Sequence, residues 1–253
     1  MKYYLKFSSL FHITLLFVLW QGCSLWVNDE FLLPSPGSAI FALKEKINEV
    51  HFWHALISSF KNLLSAFLLG MTVLICICLL STNKHLKEFF KTIISVFVSL
   101  PSFAILPVLL IIFGISYKTM LALLVYSMVW INLSYAIAAL EQVSNRWQPH
   151  VKNLKISKLV EFFYVVFPAM IPAFIICAKN SWTLCWRTLL AVEVIFGNLA
   201  SGFGIGVMMT MDRVNFRVAD IWGMIIFIAF ISYVISWAFD KLLTKIKWYT
   251  NGR

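Results

Sequence analysis

Between Ala55 and Leu80 the chain carries a single charge, Lys61. A run this long and this apolar has one stable solution: a helix that pairs every backbone N–H and C=O within itself while lipid surrounds its side chains. Five other stretches read the same way, roughly Leu10 to Val27, Thr92 to Ile115, Thr119 to Leu140, Tyr164 to Trp186 and Ile221 to Phe239. Each is near the roughly 20 residues that a helix needs to cross about 30 Å of hydrocarbon. With 61% apolar and 13% charged residues and a mean hydropathy of +0.85, the composition lies outside that of water-soluble domains. The expected fold is an all-α polytopic membrane protein with six transmembrane helices, forming one domain over residues 1–253.

Orientation follows from the basic residues, because cytoplasmic loops carry the excess of Lys and Arg. Lys2, Lys6, Lys84, Lys87, Lys91, Arg146, Lys152, Lys155, Lys158, Lys241, Lys245, Lys247 and Arg253 fall on one side, and Lys44, Lys46, Lys118, Arg213 and Arg217 on the other. Both termini and the segment 144–164 are therefore expected to face the cytoplasm. The net charge of +10 then needs no nucleic acid to explain it. The first span, with Lys2 and Lys6 ahead of it, also resembles a secretory signal, and Leu19-Trp20-Gln21-Gly22-Cys23 is similar to a lipoprotein processing site. Trp20 and Gln21 are bulky where such sites take small residues, so a retained first helix is expected.

Cys23, Cys76, Cys78, Cys177 and Cys185 all fall in apolar segments, where a thiol behaves as a small hydrophobe. Cys76 and Cys78 point about 200° apart on a helix, which argues against a shared metal. His51 and His54 could share a face, but no third ligand is near and polar residues at the membrane edge are the simpler reading. Between the first two spans, Ser35 is placed to cap a helix opened by Pro36, and Ile40, Leu43, Ile47 and Val50 recur at helical spacing. An amphipathic helix over 36–50 on the outer surface is expected. In the third span Pro101 and Pro107 each remove a backbone donor, which kinks or breaks the helix where backbone lines a cavity or packs against other helices.

The segment 144–164 carries two apolar stripes, Trp147, Val151 and Leu154, then Ile156, Leu159, Val160 and Phe163. On one continuous helix they would point about 160° apart. Two short helices with a turn near Lys155 bury both, leaving an elbow that suits a partner's cleft; a loop laid on the membrane surface by its lysines is the alternative.

From Leu154-Lys155-Ile156-Ser157-Lys158 through Val165-Val166-Phe167-Pro168-Ala169-Met170-Ile171-Pro172, this segment resembles the cytoplasmic coupling loop of binding-protein-dependent ABC importer permeases, in particular the nitrate, sulfonate and taurine group with its MetI-like bundle. Leu33-Pro34-Ser35-Pro36, Ser59-Phe60-Lys61 with Gly70, Pro101 to Pro107 with Phe113-Gly114, Trp186-Arg187 with Glu193, and Ser201-Gly202-Phe203-Gly204 resemble that group in order. The family's Glu-Ala-Ala triplet falls on Pro149-His150-Val151 and its glycine on Lys155, so the signature letters are absent at its best-known site. The resemblance implies a permease of a bacterial inner membrane that pairs with a second permease subunit, as a homodimer, and with a cytoplasmic ABC ATPase and an extracytoplasmic solute-binding protein. ATP and Mg²⁺ would be held by the ATPase; no Gly-x4-Gly-Lys-[Ser/Thr] phosphate loop occurs here. Trp147, Val151, Leu154, Lys155, Ile156, Ser157, Lys158, Leu159, Phe163 and Pro168 would form the ATPase-coupling loop.

Charges within spans are costly and often functional. Lys61, Lys179, Arg187 and Glu193, with Pro101 and Pro107, are the candidates for the translocation pathway or for ion pairs inside the membrane. Lys179 and Glu193 stand about 21 Å apart along a helix axis, so Glu193 is expected to meet Lys61 or Arg187 instead. A substrate role for this cationic set would favour an anionic solute. Gly202-Phe203-Gly204-Ile205-Gly206 lacks the context of a dinucleotide fingerprint and reads as a flexible outer loop, followed by a polar outer rim of Asp212, Arg213, Asn215, Arg217 and Asp220. No paired carboxylates or nucleophile-and-base set makes an active site, so no enzyme activity is expected. An ion-coupled secondary transporter, which usually shows midplane carboxylates, and a non-transporting scaffold are the alternatives to an import permease.

Overall fold

A computed structural model describes residues 2–151, 157–197, 199 and 202–251, and its regular elements are all helical. They are α1 (Lys2–Val27), α2 (Pro36–Ile47), α3 (Val50–Leu80), α4 (Lys84–Phe97), α5 (Leu106–Phe113), α6 (Tyr117–Val151), α7 (Lys158–Glu161), α8 (Phe167–Phe196), α9 (Ile205–Val214) and α10 (Val218–Asn251). Val50–Leu80, Tyr117–Arg146, Phe162–Phe196 and Val218–Lys245 are each long and apolar enough to cross a bilayer. The apolar part of α1, Thr14–Val27, is shorter. The predicted third span, Thr92 to Ile115, is two arms bent by 91° rather than one kinked helix.

The core is the contact of α3, α6 and α8. Leu63, Ala66 and Leu74 from α3, Met120, Leu124, Met128 and Leu133 from α6, and Met170, Cys177, Cys185 and Leu189 from α8 are buried together. Lipid tails are as apolar as these side chains, so close packing rather than expulsion from water holds the helices, and small residues set the approach. At Gly70 a Cβ would sit 2.5 Å from the Met128 sulfur, which shows how tightly α6 seats on α3. Among the cysteines Cys23 and Cys76 are exposed and the other three are buried, all as free thiols.

Helix α1 stands at the side of this core with Leu16, Val18, Leu19 and Trp26 exposed. Trp20 attaches it: its indole donates to the Pro34 carbonyl at 3.0 Å and its ring lies 4.9 Å from that of Trp222. Ser35 caps α2 by accepting from the Ser38 N–H at 3.1 Å, with Pro36 at the first turn. The face that α2 buries meets the expected stripe in part: Leu43 and Ile47 are half-buried, Ile47 against the core, but the face is turned from the line through all four residues. Ala39, Ala42 and Lys46 turn inward, whereas Ile40 is 50% exposed and Val50 already belongs to α3. The cause is backbone proximity: a Cβ on Gly223 of α10 would come within 2.7 Å of the Ala39 carbonyl, and only small residues fit along that line.

Candidate functional site

The bend between α4 and α5 follows from its prolines. Pro101 precedes a short 3-10 turn, Ser102–Ile105, and Pro107 lies in the first turn of α5, where a missing N–H is tolerated. The Tyr126 hydroxyl donates to the Phe97 carbonyl at 3.3 Å, partnering a group at the end of α4. Phe97 stacks on Trp130 with ring centroids 4.6 Å apart. Together with Pro101, Ser102, Ser127 and Thr188 these residues line a cavity of about 220 Å³. The bend thus combines irregular backbone, hydroxyls and aromatic rings at membrane depth, an arrangement that membranes tolerate where protein or a water-filled path covers it.

Glu193 is fully buried near the C-terminal end of α8, and its partner is not the cation expected. Its carboxyl oxygens accept from the Ser59 hydroxyl at 2.8 and 2.9 Å and from the Gly206 N–H at 2.8 Å. Ser59 in turn accepts the Ile205 N–H at 2.9 Å. Two of the backbone donors at the start of α9 are therefore held by α3 and α8, with an acid at the positive end of the helix. The glycines read as a flexible loop make this possible: a Cβ at Gly204 would collide with the Glu193 carboxyl, and one at Gly206 would come 2.7 Å from the Leu190 carbonyl. Lys61 and Arg187 are exposed and form no salt bridge with a described residue. Lys179 pairs with Asp240 of α10 at 2.6 Å.

The far end of α9 is fixed by a second set of charges. Lys46, 2% exposed, reaches Asp212 at 2.8 Å and Asp220 at 3.6 Å, and Arg217 donates to Asp220 at 2.9 Å. Two members of the expected solvated rim are thus buried. Burial pushes the Asp212 carboxyl above the usual aspartate range, opposed by the hydrogen bond and charge of Lys46. The charge of Asp220 beside Arg217 holds that guanidinium still more firmly protonated. Phe216 turns the chain between α9 and α10 with φ of 57°, and the following Arg217 N–H donates to the Asp212 carbonyl at 2.8 Å. The sequence places Asp212 in an outer rim and Lys46 among the basic residues of one side without pairing them; the available signal is that charged residues are scarce here, so each one near a span needs a partner.

On the side rich in lysine, α6 runs unbroken through Trp147 to Val151. Leu154, Lys155 and Ile156, and with them the expected turn, lie outside the described residues. The chain resumes at Ser157, whose carbonyl accepts from the Glu161 N–H at 2.9 Å, opening α7 with Lys158 and Leu159. A five-residue π turn, Phe162–Val166, follows, with the Phe167 N–H donating to the Phe162 carbonyl. Pro168 explains it: with no N–H, it leaves the preceding turn without its usual bond, and the chain widens there. Phe163 is 54% exposed and Tyr164 79%, while Phe162 is buried. A second cluster braces this end, where Glu141 of α6 accepts from Lys91 at 2.5 Å and meets Lys87 at 3.1 Å.

No group of three or more potential metal ligands occurs among the described residues. Residues 66–247 match the family model described as binding-protein-dependent transport system inner membrane component. A curated relative, the nitrate import permease protein NrtB of Synechocystis sp., is 24% identical over 127 residues, covering 50% of this chain and 46% of that protein. The chain thus matches about half the length of this relative. Among solved structures, an inward-facing form of the MetNI methionine ABC transporter superposes with a TM-score of 0.62 at 13% identity, covering 76% of this chain and 94% of the other. The shared fold is that MetI-like helical bundle.

Proposed function

Because this chain belongs to the family of inner membrane components of binding-protein-dependent transport systems, we propose that it forms the translocation pathway of an ABC importer. Solute arrives on an extracytoplasmic binding protein, and a separate cytoplasmic ATPase holding ATP and Mg²⁺ drives the cycle. The observation that carries this reading is the family match over residues 66–247. The permease pairs with a second copy of itself, and both termini face the cytoplasm, in keeping with the distribution of Lys and Arg. The segment from Trp147 to Pro168 meets the ATPase. Closure of the ATPases moves that segment, and the bundle switches between inward- and outward-facing forms.

The pathway follows the bent segment between α4 and α5, where Pro101 and Pro107 keep backbone irregular beside a hydroxyl-lined cavity. The solute is a small anion of the nitrate or sulfonate kind. Two observations support this: similarity to a nitrate import permease and the exposed cations Lys61 and Arg187.

Reconstitution of the permease with its cognate ATPase and binding protein tests the proposal. Uptake is expected to require ATP inside the vesicle, to stop when the ATPase is inactivated and to persist when ionophores collapse ion gradients. Uptake that follows a gradient without the ATPase would identify a secondary transporter instead.

A further inference from the structure

A cavity of about 420 Å³ opens between the α3–α4 turn, the end of α6 and α7, lined by Ser81, Thr82, Lys84, Lys87, Asn145 and Glu161 among others. All these elements meet at the lysine-rich end of the bundle. Ser81 and Thr82 spend their hydroxyl protons on the carbonyls of Ile77 and Leu79, so they offer no donor to the cavity. Lys87 is already held by Glu141. Lys84 and Glu161 are different: they line the same cavity, yet they pair neither with each other nor with any other described residue.

Two opposite charges that face one space without meeting define what would fill it. A simple anion would satisfy Lys84 and be repelled by Glu161, and a simple cation would do the reverse. A group carrying both charges satisfies both walls. The flank identifies its source: Leu86 and Phe89 on α4 are 38% and 58% exposed. Helix α4 places Lys84, Lys87 and Lys91 on one face and Leu86, Phe89 and Phe90 on the other, the pattern of a helix lying at the boundary between headgroups and acyl chains. We propose that this cavity binds the headgroup of a zwitterionic phospholipid, phosphate toward Lys84 and Lys87 and ammonium toward Glu161, with its acyl chains over the apolar flank. Bound there, the lipid ties the α3–α4 turn to α7. The proposal goes beyond transport and does not depend on which solute crosses.

Native mass spectrometry of the full-length purified protein, titrated separately with phosphatidylethanolamine, phosphatidylglycerol and soluble phosphoethanolamine, tests it. Phosphatidylethanolamine is expected to be retained about fivefold more tightly than phosphatidylglycerol, the scale of one added charge contact at a membrane surface. Glu161→Gln should abolish that preference and Glu161→Asp should keep it, while Lys84→Gln weakens retention of both lipids about fivefold. Equal retention of the two lipids by the unaltered protein, or a preference that survives Glu161→Gln, overturns the proposal. Soluble phosphoethanolamine that binds as tightly as the lipid overturns the lipid assignment in favour of a soluble amino-phosphate. Glu161→Asp must remain monodisperse and folded by circular dichroism, so that a loss in Glu161→Gln is read as lost charge.

Discussion

Ser59 and Glu193, bonded to each other, hold the first turn of α9 with two hydrogen bonds at zero exposure, so each atom there lacks water as a substitute partner. Ser59→Ala removes a donor to Glu193 and an acceptor for the Ile205 N–H. It should lower stability by about 1–3 kcal/mol, the range for a buried polar group left without its partner. Gly206→Ala acts by a different route, pressing a methyl against the Leu190 carbonyl at about 1–3 kcal/mol. Thermal unfolding of the detergent-purified variants checks both, and a Tm unchanged in either would mean that α9 is not latched at this end. At its other end Lys46→Ala would leave Asp212 and Asp220 buried without their shared cation. The expected loss is about 3–5 kcal/mol. The pH dependence has a defined sign. Because burial raises the folded-state pKa of Asp212 above its ordinary value, the stability linked to its protonation is complete below that ordinary value and is lost as pH rises through the raised one. Asp212→Asn should flatten this part of the stability curve, and a slope unchanged by the substitution would place the titration elsewhere.

The spanning helices were readable at the scale of elements because hydrocarbon thickness sets their length and scarcity of charge marks their bounds. What resisted reading is whatever depends on a neighbour distant in sequence. The inward face of α2 is set by Ala39 and Leu43 against Gly223 and by Lys46 against Asp212, so of the apolar stripe Ile40, Leu43, Ile47 and Val50 the middle two pack inward and the outer two are exposed. The Gly202 to Gly206 run looked like a free loop because its partner, Glu193, becomes visible only once α8 and α9 are folded together. Pro101 and Pro107 marked where the third span gives way, but a bend of 91° needs the Phe97, Tyr126 and Trp130 cluster to hold it. The orientation of these elements has its own test. On a background without native cysteines, Ser157→Cys, exposed at the start of α7, should react with a membrane-impermeant maleimide only when the cytoplasmic face is open. Labelling from outside intact cells would reverse the proposed topology. Reversing two of Lys152, Lys155 and Lys158 to Glu should weaken co-purification of the ATPase while leaving the Tm of the permease unchanged.

For the molecule as a whole, two charged clusters tie helices together at opposite ends of the bundle, one buried and one partly exposed, and neither lines the cavity at the bend. Lys46, Asp212 and Asp220 tie α2, α9 and α10 together at one end, and Lys87, Lys91 and Glu141 tie α4 to α6 at the other. The cavity at the bend is lined mainly by aliphatic and aromatic side chains with a few hydroxyls, and no carboxylate or amine is among its described lining residues. In the proposed pathway, the exposed Lys61 and Arg187 would act on the solute by field rather than by fit. This distinction is measurable. If the solute is anionic, Lys61→Gln and Arg187→Gln should each raise the KM for uptake by about two- to fivefold with kcat retained, because a solvent-exposed charge is worth about 0.2–1 kcal/mol. The effect should shrink as ionic strength rises, since salt screens exposed charges over about 10 Å. Loss of kcat at constant KM would instead assign these residues to the conformational switch, and indifference in both parameters would remove them from the pathway.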